Sequence, residues 1–331
     1  MLRLIFTVAT FFFASCSTLP KGLSHPTWQS VKTNEYLGPL SLHQCDSLGN
    51  KVLVFGGVRD DGAFNPFHNR GAIFDIEKKL WSRLSIAKES EKLKGAQIAV
   101  NQSNILIVGG TNVAEEYTNS YTIIDLDTNY SASIRTNELS GRTGHSLTTV
   151  DGKAILFGGG SNREIKDYAV FNFNTTRWKS YALPSHVKNR TSHVARALGD
   201  NLVIWGGFEN NQRRNDGYIL DTVSLKWQRI NFGDITTPRS NAKSIVLNNS
   251  LLVFGGASSD KKSNSGFAFN IENNTWNGIE KIPDERYDKS LSIFLRTELW
   301  VTKKTAKSDV ISLQAIPMPT TCAKPPLITM S

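Results

Sequence analysis

The stretch AILFGGGSNREIKDYAVFNFNTTRW, residues 154–178, decides the fold of this protein. Apolar residues run into a set of glycines, a polar loop follows, and a second alternating run leads through an asparagine to a tryptophan. Alternation with a period of two is typical of β-strands, whereas Gly and Asn are typical of turns. The stretch therefore predicts short strands that are joined by turns.

The opening pattern of this stretch recurs along the chain. Apolar runs end in glycine in KVLVFGG, NILIVGG, AILFGG, NLVIWGG and LLVFGG, whose first glycines are residues 56, 109, 158, 206 and 255. A sixth copy, LWVTK at 299–303, keeps the strand but has Thr302 and Lys303 in the glycine positions. A fixed period of about fifty residues indicates a repeat architecture.

A second feature follows each glycine pair in the same register. An alternating run ends in Asp or Asn, and a tryptophan comes six residues later in four units, at Trp81, Trp178, Trp227 and Trp276. The second unit keeps Asp125 but has Ser131 in the tryptophan position. Asp and Asn side chains accept hydrogen bonds from the backbone two residues on, which is typical of turns. With a further alternating run ahead of each glycine pair, every unit is predicted to hold four short strands.

These features together resemble the kelch repeat, and six such units are similar to a six-bladed β-propeller. The resemblance implies an all-β fold of four-stranded blades over residues 24–316, followed by a C-terminal tail at 317–331. The segment TWQSV at 27–31 copies the outer-strand pattern that the sixth unit lacks. We therefore expect the N-terminal strand to complete the last blade, which closes the ring and removes exposed strand edges.

Residues 1–15 have the layout of a signal peptide, with one cation at Arg3 and an apolar stretch that is too short to span a bilayer. The sequence FASC at 13–16 resembles a bacterial lipobox, which would make Cys16 the lipid-modified first residue of the mature protein. An ordinary cleaved signal and a retained anchor are the alternatives. The resemblance implies a lipid-anchored protein of the bacterial cell envelope, in the periplasm or at the outer membrane.

Two further cysteines, Cys45 and Cys322, stand near opposite ends of the mature chain. In an exported protein disulfides persist, so we expect a bridge between them, with two unrelated thiols as the alternative. Three cysteines without a CxxC spacing argue against structural zinc or an iron–sulfur cluster. The net charge is +9 without a long basic run, which favours an acidic partner over nucleic acid.

One face of the ring is predicted to carry the binding site. In an antiparallel meander, the loop before the first strand and the loop after the second open on the same side, here named the loop face. An arginine stands sixteen residues before the first glycine position in units three to six: Arg142, Arg190, Arg239 and Arg286. Guanidinium groups bind carboxylate or phosphate through parallel hydrogen bonds. We predict a binding face from these arginines with Arg163, Glu209 and Arg213, the alternative being that the arginines bond carbonyls or acids of the fold.

Histidines also recur, with His43, His145 and His193 each thirteen residues before the glycine pair. Their blades are not all neighbours, so we expect no metal and no cofactor. The sequence also lacks the familiar hydrolase, zinc-protease and phosphate-loop motifs.

We therefore expect a monomeric binding module for an acidic glycan, a peptide or an envelope protein. The alternative is a mutarotase of an acidic sugar, by similarity to exported sialic-acid mutarotases, with Glu209 as its acid/base.

Overall fold

The computed structural model describes residues 40–41, 44–56, 58–59, 69–230, 236–247, 250–258, 266–279, 290–295, 298–305 and 308–317. The predicted signal peptide (1–15), Cys16, the segment 27–31, His43, Arg286 and Cys322 lie outside these ranges. In the described part of the chain, no helix has the length and apolarity needed to cross a bilayer.

The described chain is built from short strands. In chain order they are β1 (Leu40–Ser41), β2 (Gln44–Leu48), β3 (Lys51–Phe55), β4 (Val58–Arg59), β5 (Gly71–Asp75), β6 (Leu80–Arg83), β7 (Gln97–Asn101), β8 (Asn104–Val108), β9 (Ser120–Asp125), β10 (Tyr130–Arg135), β11 (Ser146–Val150), β12 (Lys153–Phe157), β13 (Asp167–Asn172), β14 (Arg177–Ala182), β15 (Val194–Leu198), β16 (Asn201–Trp205), β17 (Phe208–Glu209), β18 (Gln212–Arg213), β19 (Gly217–Asp221), β20 (Trp227–Ile230), β21 (Lys243–Leu247), β22 (Ser250–Phe254), β23 (Gly266–Asn270), β24 (Thr275–Ile279), β25 (Ser290–Leu295), β26 (Glu298–Thr305) and β27 (Ser308–Pro317).

Each of the first five repeats forms one four-stranded antiparallel sheet. The sheets are β2-β3-β5-β6, β7-β8-β9-β10, β11-β12-β13-β14, β15-β16-β19-β20 and β21-β22-β23-β24. The repeat therefore corresponds to a blade, and the prediction of four strands per unit is confirmed for these five. The short strands β1 with β4 and β17 with β18 pair separately at the loops.

The sixth repeat forms a sheet of three strands, β25-β26-β27, rather than four. Its predicted fourth strand falls on residues 27–31, which lie outside the described residues. The first strands of successive blades contact one another in chain order, and β25 contacts both β21 and β2. The arrangement is therefore propeller-like, with five complete blades, and a complete sixth blade stays a prediction.

The hydrophobic core lies in layers between neighbouring blades. On one face of the third blade, Phe171 and Trp178 pack against Tyr121 of the second blade, with ring centroids 5.9 and 6.0 Å from the tyrosine. On its other face, Phe157 and Tyr168 lie 5.4 and 5.2 Å from Trp227 of the fourth blade. Burial of a large apolar side chain contributes roughly 1.5–3 kcal/mol. Each blade therefore depends on its neighbours for stability, and the repeated tryptophan fills the space between their outer strands.

The turn between the third and fourth strands has the predicted Asx chemistry. In the fourth blade, Asp221 Oδ1 accepts hydrogen bonds from the N–H groups of Val223 and Ser224, both at 2.9 Å. Asp125, Asn172 and Asn270 also accept a bond from the N–H two residues on, and Asp75 accepts one from Lys78 N–H, three residues on. The prediction is confirmed for all five described turns.

The two loops of the loop face are paired within a blade. Thr143, just before the first strand of the third blade, exchanges two backbone hydrogen bonds with Gly160, just after the second strand, at 3.0 and 2.8 Å. Similar bridges join Lys94 with Thr111, Thr191 with Phe208 and Ser240 with Ala257. The loop face is therefore a set of joined loop pairs at one end of the blades.

In the second, third and fourth blades, the first glycine of the pair adopts a left-handed conformation and lies against the next blade. Gly158 has φ +75°, and a Cβ atom there would lie 2.6 Å from His193 Cε1 and against the carbonyl oxygen of Arg190. Gly152, in the hairpin turn of the same blade, has φ +67° but no neighbour within 4 Å of such an atom. Gly158 is therefore required both by its left-handed backbone and by its contact with the next blade. Gly152 is required only by its left-handed backbone.

Substitution of these two glycines should separate backbone strain from the contact between blades. Gly152→Ala should lower the free energy of unfolding by about 1–2 kcal/mol, the usual cost of a left-handed residue. Gly158→Ala should cost about 1–3 kcal/mol more, because the methyl group overpacks the interface. Denaturant unfolding of both variants measures the difference, and equal losses would show that the contact is unimportant.

Candidate functional site

The predicted arginines of blades three to five are buried inside the fold. Arg142, Arg190 and Arg239 are each 1% exposed. Their guanidinium groups donate hydrogen bonds from Nη1 to the carbonyl oxygen of the first glycine of the same blade: Arg142 to Gly158 at 3.3 Å, Arg190 to Gly206 at 3.1 Å and Arg239 to Gly255 at 3.1 Å. The side chains therefore support the loop after the second strand.

The backbone of the same arginines joins neighbouring blades. Each carbonyl oxygen accepts a hydrogen bond from the second glycine N–H of the preceding blade: Gly110 to Arg142 at 2.8 Å, Gly159 to Arg190 at 2.9 Å and Gly207 to Arg239 at 2.7 Å. This geometry favours the structural alternative over direct ligand contact. A binding role for these three arginines stays a prediction that their burial does not support.

Carboxylates and rings complete the surroundings of the buried guanidinium groups. Asp167 Oδ1 lies 2.7 Å from Arg142 Nη2, and Asp216 Oδ1 lies 3.2 Å from Arg190 Nη1. Arg190 also lies over the ring of Tyr218, with its Cζ atom 4.6 Å from the centroid. Sequence reasoning missed both aspartates, although they follow the first glycine by nine and ten residues.

The recurrent histidines serve the same junctions. His193 Nδ1 lies 3.2 Å from the carbonyl oxygen of Arg190, and its Nε2 lies 2.8 Å from Ser146 Oγ in the third blade. A carbonyl can only accept, so Nδ1 carries the proton and Nε2 accepts from the serine. Burial lowers the pKa of both His145 and His193 to about 3, and the adjacent Arg142 and Arg190 act in the same direction. Both rings are therefore neutral at neutral pH and structural in their contacts.

Acid should destabilise the protein through these histidines. An unfolded histidine has a pKa of about 6.5, so below that value the unfolded state binds more protons than the folded state. The contribution of these rings to the free energy of unfolding should fall from about pH 6.5 towards pH 3, by up to about 1.4 kcal/mol per pH unit for each ring. His193→Gln should reduce this slope in denaturant titrations, whereas the exposed His186→Gln should not. An unchanged slope for His193→Gln would contradict the assignment.

A charged cluster that runs from the buried Arg190 to the exposed Arg229 lies on the loop face of the fourth blade. It consists of Arg190, Glu209, Arg213, Arg214, Asp216 and Arg229, and it is named the fourth-blade cluster. The hairpin β17–β18 presents part of it, and the hairpin turn uses Asn210 and Asn211 with φ of 48° and 61°. Two consecutive left-handed residues match the twist of a two-residue β-hairpin, for which asparagine is suited. The two asparagines therefore favour the turn that places Arg213 and Arg214 on the loop face.

Two carboxylates hold most of the cluster together. Glu209 Oε2 lies 3.3 Å from Arg214 Nε and 3.7 Å from Arg190 Nη2. Asp216 lies 3.4 Å from Arg214 and 3.1 Å from Arg229. Burial by itself would raise the pKa of Asp216, but Arg190 and Arg214 lower it below the ordinary value. Both carboxylates therefore hold guanidinium groups of the fold in place through ion pairs.

Arg213 differs from the other arginines of the cluster. Its guanidinium lies over the ring of Phe208, 4.8 Å from the centroid, and its Nε lies 3.4 Å from Ser240 Oγ. Among the described residues, no carboxylate comes within ion-pair distance of it. Arg163 is exposed in the corresponding loop of the third blade. The structure thus brings Glu209 and Arg213 into one hairpin, with Arg214 directly after it. It adds Arg229 from the outer strand of the same blade, which the sequence-based prediction had not included.

The innermost strands place a further set of charges together. Burial raises the pKa of Asp46 in β2 to about 6, and Ser47 N–H and Arg196 of the fourth blade oppose that rise. Burial raises the pKa of the Cys45 thiol and lowers that of Lys243 in the fifth blade. Cys45 is a free thiol in the structure. Its predicted bridge to Cys322 stays a prediction because Cys322 lies outside the described residues.

The family described as the KLHDC2/KLHL20/DRC7 Kelch-repeats domain matches residues 42–197 and 144–302 of the chain. The protein belongs to the Kelch-repeat family. The match covers the five complete blades and the first strands of the sixth sheet, so the kelch resemblance is confirmed.

Several curated proteins are similar to parts of this Kelch-repeat chain. Acyl-CoA-binding domain-containing protein 4 of Arabidopsis thaliana is 25% identical over 205 residues, which are 60% of this chain and 30% of that protein. An F-box/kelch-repeat protein of the same plant is 24% identical over 227 residues, 60% and 46% of the two chains. Kelch domain-containing protein 3 of Homo sapiens is 32% identical over 94 residues, 27% and 25% of the two chains. The chain therefore spans less than half the length of each of these relatives.

Proposed function

We propose that this Kelch-repeat protein is a protein-interaction module whose loop face binds an acidic segment of a partner protein. Kelch propellers generally mediate protein interactions, and the family match supports that general role. The observation that carries the finer proposal is Arg213, a partly exposed guanidinium without a carboxylate partner among the described residues.

The fourth-blade cluster has the charge that such a partner needs. Four arginines face two carboxylates, which leaves a surplus of two positive charges. Glu209 and Asp216 together engage Arg190, Arg214 and Arg229, so the unpaired charge is concentrated at Arg213. A carboxylate of the partner would lie beside a guanidinium that stacking on Phe208 already orders, which reduces the entropy lost on binding.

A charge reversal at Arg213 tests this proposal. Arg213→Glu should weaken binding of a fluorescent polyglutamate peptide about tenfold, which corresponds to about 1.4 kcal/mol. Lys78→Glu is the matched control, because Lys78 is an exposed cation in a turn at the opposite end of its blade. Anisotropy titrations at low salt and at about 0.15 M salt measure the loss and its screening. Equal binding by wild type and Arg213→Glu would refute the proposal.

An acidic glycan would present the same carboxylate chemistry, so sialic acid and a uronic acid belong in the same titrations. Glu209 is the proposed acid/base of the mutarotase alternative. The two arginines beside it give the carboxylate a structural role in the fold. The binding role is therefore the one that the geometry supports better.

We also propose that the protein is exported and anchored by lipid at Cys16 in a bacterial envelope. The support is the sequence of residues 1–16, with its cation, short apolar stretch and lipobox-like end. In this arrangement the loop face would bind partners that lie at the envelope.

Lipid labelling of the full chain in a bacterial host tests the anchor. Wild type should incorporate labelled palmitate and sediment with membranes, whereas Cys16→Ala should lose the label. Cys45→Ala should keep the label, because Cys45 lies in the first blade. Labelling that survives Cys16→Ala would exclude this residue as the anchor.

A further inference from the structure

A second surface lies between the third and fourth blades, at the end opposite the loop face. In each blade the turn between the third and fourth strands lies at this end, because successive strands alternate in direction. In the fourth blade this turn exposes Val223 at 72% and Leu225 at 36%. Leu225 adopts φ +58°, where the other blades have Lys79, Asn129, Thr176 and Asn274. An apolar residue thus takes a strained, exposed position that the other blades fill with polar ones.

This turn forms one wall of a groove of about 410 Å³. The other wall is the third blade, where Arg177, Lys179 and Tyr181 occupy alternate positions of the outer strand β14 and line the groove together. Apolar side chains of the inner strands form its floor, and Lys153 lies beside them. The groove is therefore apolar on one side and basic along the other.

The charges of this groove are unbalanced. Lys153, Arg177 and Lys179 line it, and no carboxylate does. Within the described part of the chain none of these cations forms an ion pair, and Lys179 Nζ lies over the Tyr181 ring at 5.1 Å from its centroid. A partner that contributes carboxylates would supply the missing charge.

The spacing of the cations identifies the shape of that partner. Alternate residues of a strand lie about 6.6–6.8 Å apart on the same face. An extended peptide has the same spacing, so acidic residues at alternate positions can face Arg177 and Lys179 together.

We propose that the groove binds an extended segment of a partner protein, with two acidic residues at alternate positions followed by an apolar residue. The acids lie against Arg177 and Lys179, and the apolar side chain packs on Val223 and Leu225. This surface is separate from the fourth-blade cluster, so an experiment can contradict one binding proposal and leave the other intact. A lysine on an outer strand also discourages pairing between sheet edges, and that role alone would produce no binding of the peptide.

Binding of a labelled peptide, Gly-Glu-Thr-Glu-Thr-Leu-Gly, tests the proposal on the full chain. Arg177→Glu combined with Lys179→Glu should weaken binding at least about tenfold, and Val223→Ser should weaken it about threefold. These positions are exposed, so the substitutions should leave the thermal midpoint nearly unchanged. Salt should weaken the wild-type interaction.

Matched controls assign the effect to the groove. Lys78→Glu reverses an exposed cation elsewhere, and Val113→Ser removes another exposed valine, which is 58% exposed on the loop face. Both should bind the peptide like the wild type. The same peptide with lysine in place of glutamate should not bind.

Other outcomes overturn the proposal. The groove is not the site if wild type fails to bind the glutamate peptide or if the groove variants bind it unchanged. Loss of binding by Arg213→Glu alone would assign the peptide to the loop face. Binding to vesicles of equal parts phosphatidylcholine and phosphatidylserine, without peptide binding, would indicate a membrane surface instead.

Discussion

The hydrogen bond from a glycine N–H to the carbonyl oxygen of an arginine in the next blade is the contact that joins the second to fifth blades. It forms at three successive junctions, where Arg142, Arg190 and Arg239 accept it. The side chain of the same arginine then binds the first glycine of its own blade. One residue therefore sets both the position of a blade and the path of its loop. The first glycine, as at Gly158, can carry no side chain because the next blade occupies that space.

The packing between blades follows from this arrangement. When the glycine loops are held together at one end, the strands run side by side and the aromatic residues fill the widening space between their outer parts. Phe157, Tyr168 and Trp227 show this between the third and fourth blades. The neutral histidines belong to the same junctions, since His193 contacts the backbone of Arg190 and the hydroxyl of Ser146. The stability of the junctions and the expected loss of stability in acid thus depend on the same contacts.

Cationic side chains that have no carboxylate partner among the described residues are the groups available to bind a partner. The buried arginines are bound by glycine carbonyls, and Arg142 and Arg190 also by aspartates. Arg213 on the loop face and Arg177 with Lys179 at the opposite end have no carboxylate partner among the described residues. Both surfaces combine guanidinium or ammonium groups with an aromatic or apolar neighbour. The two surfaces that we propose for acidic polypeptide therefore lie at opposite ends of the blades.

The sequence by itself determined the repeat, its four strands and its Asx turns, because these depend on local alternation and on side chains that bond their own backbone, as at Asp221. It also identified Arg190 as a recurrent residue before the first strand, but it did not determine whether the guanidinium faces solvent or the interior. Only the tertiary structure decided that, because the partners Gly206 and Asp216 come from elsewhere in the blade and exclude water from the arginine. The groove beside Val223 likewise lies between two blades. Its walls come from β14 and from the turn with Val223 and Leu225, and local sequence patterns cannot predict that these segments are neighbours.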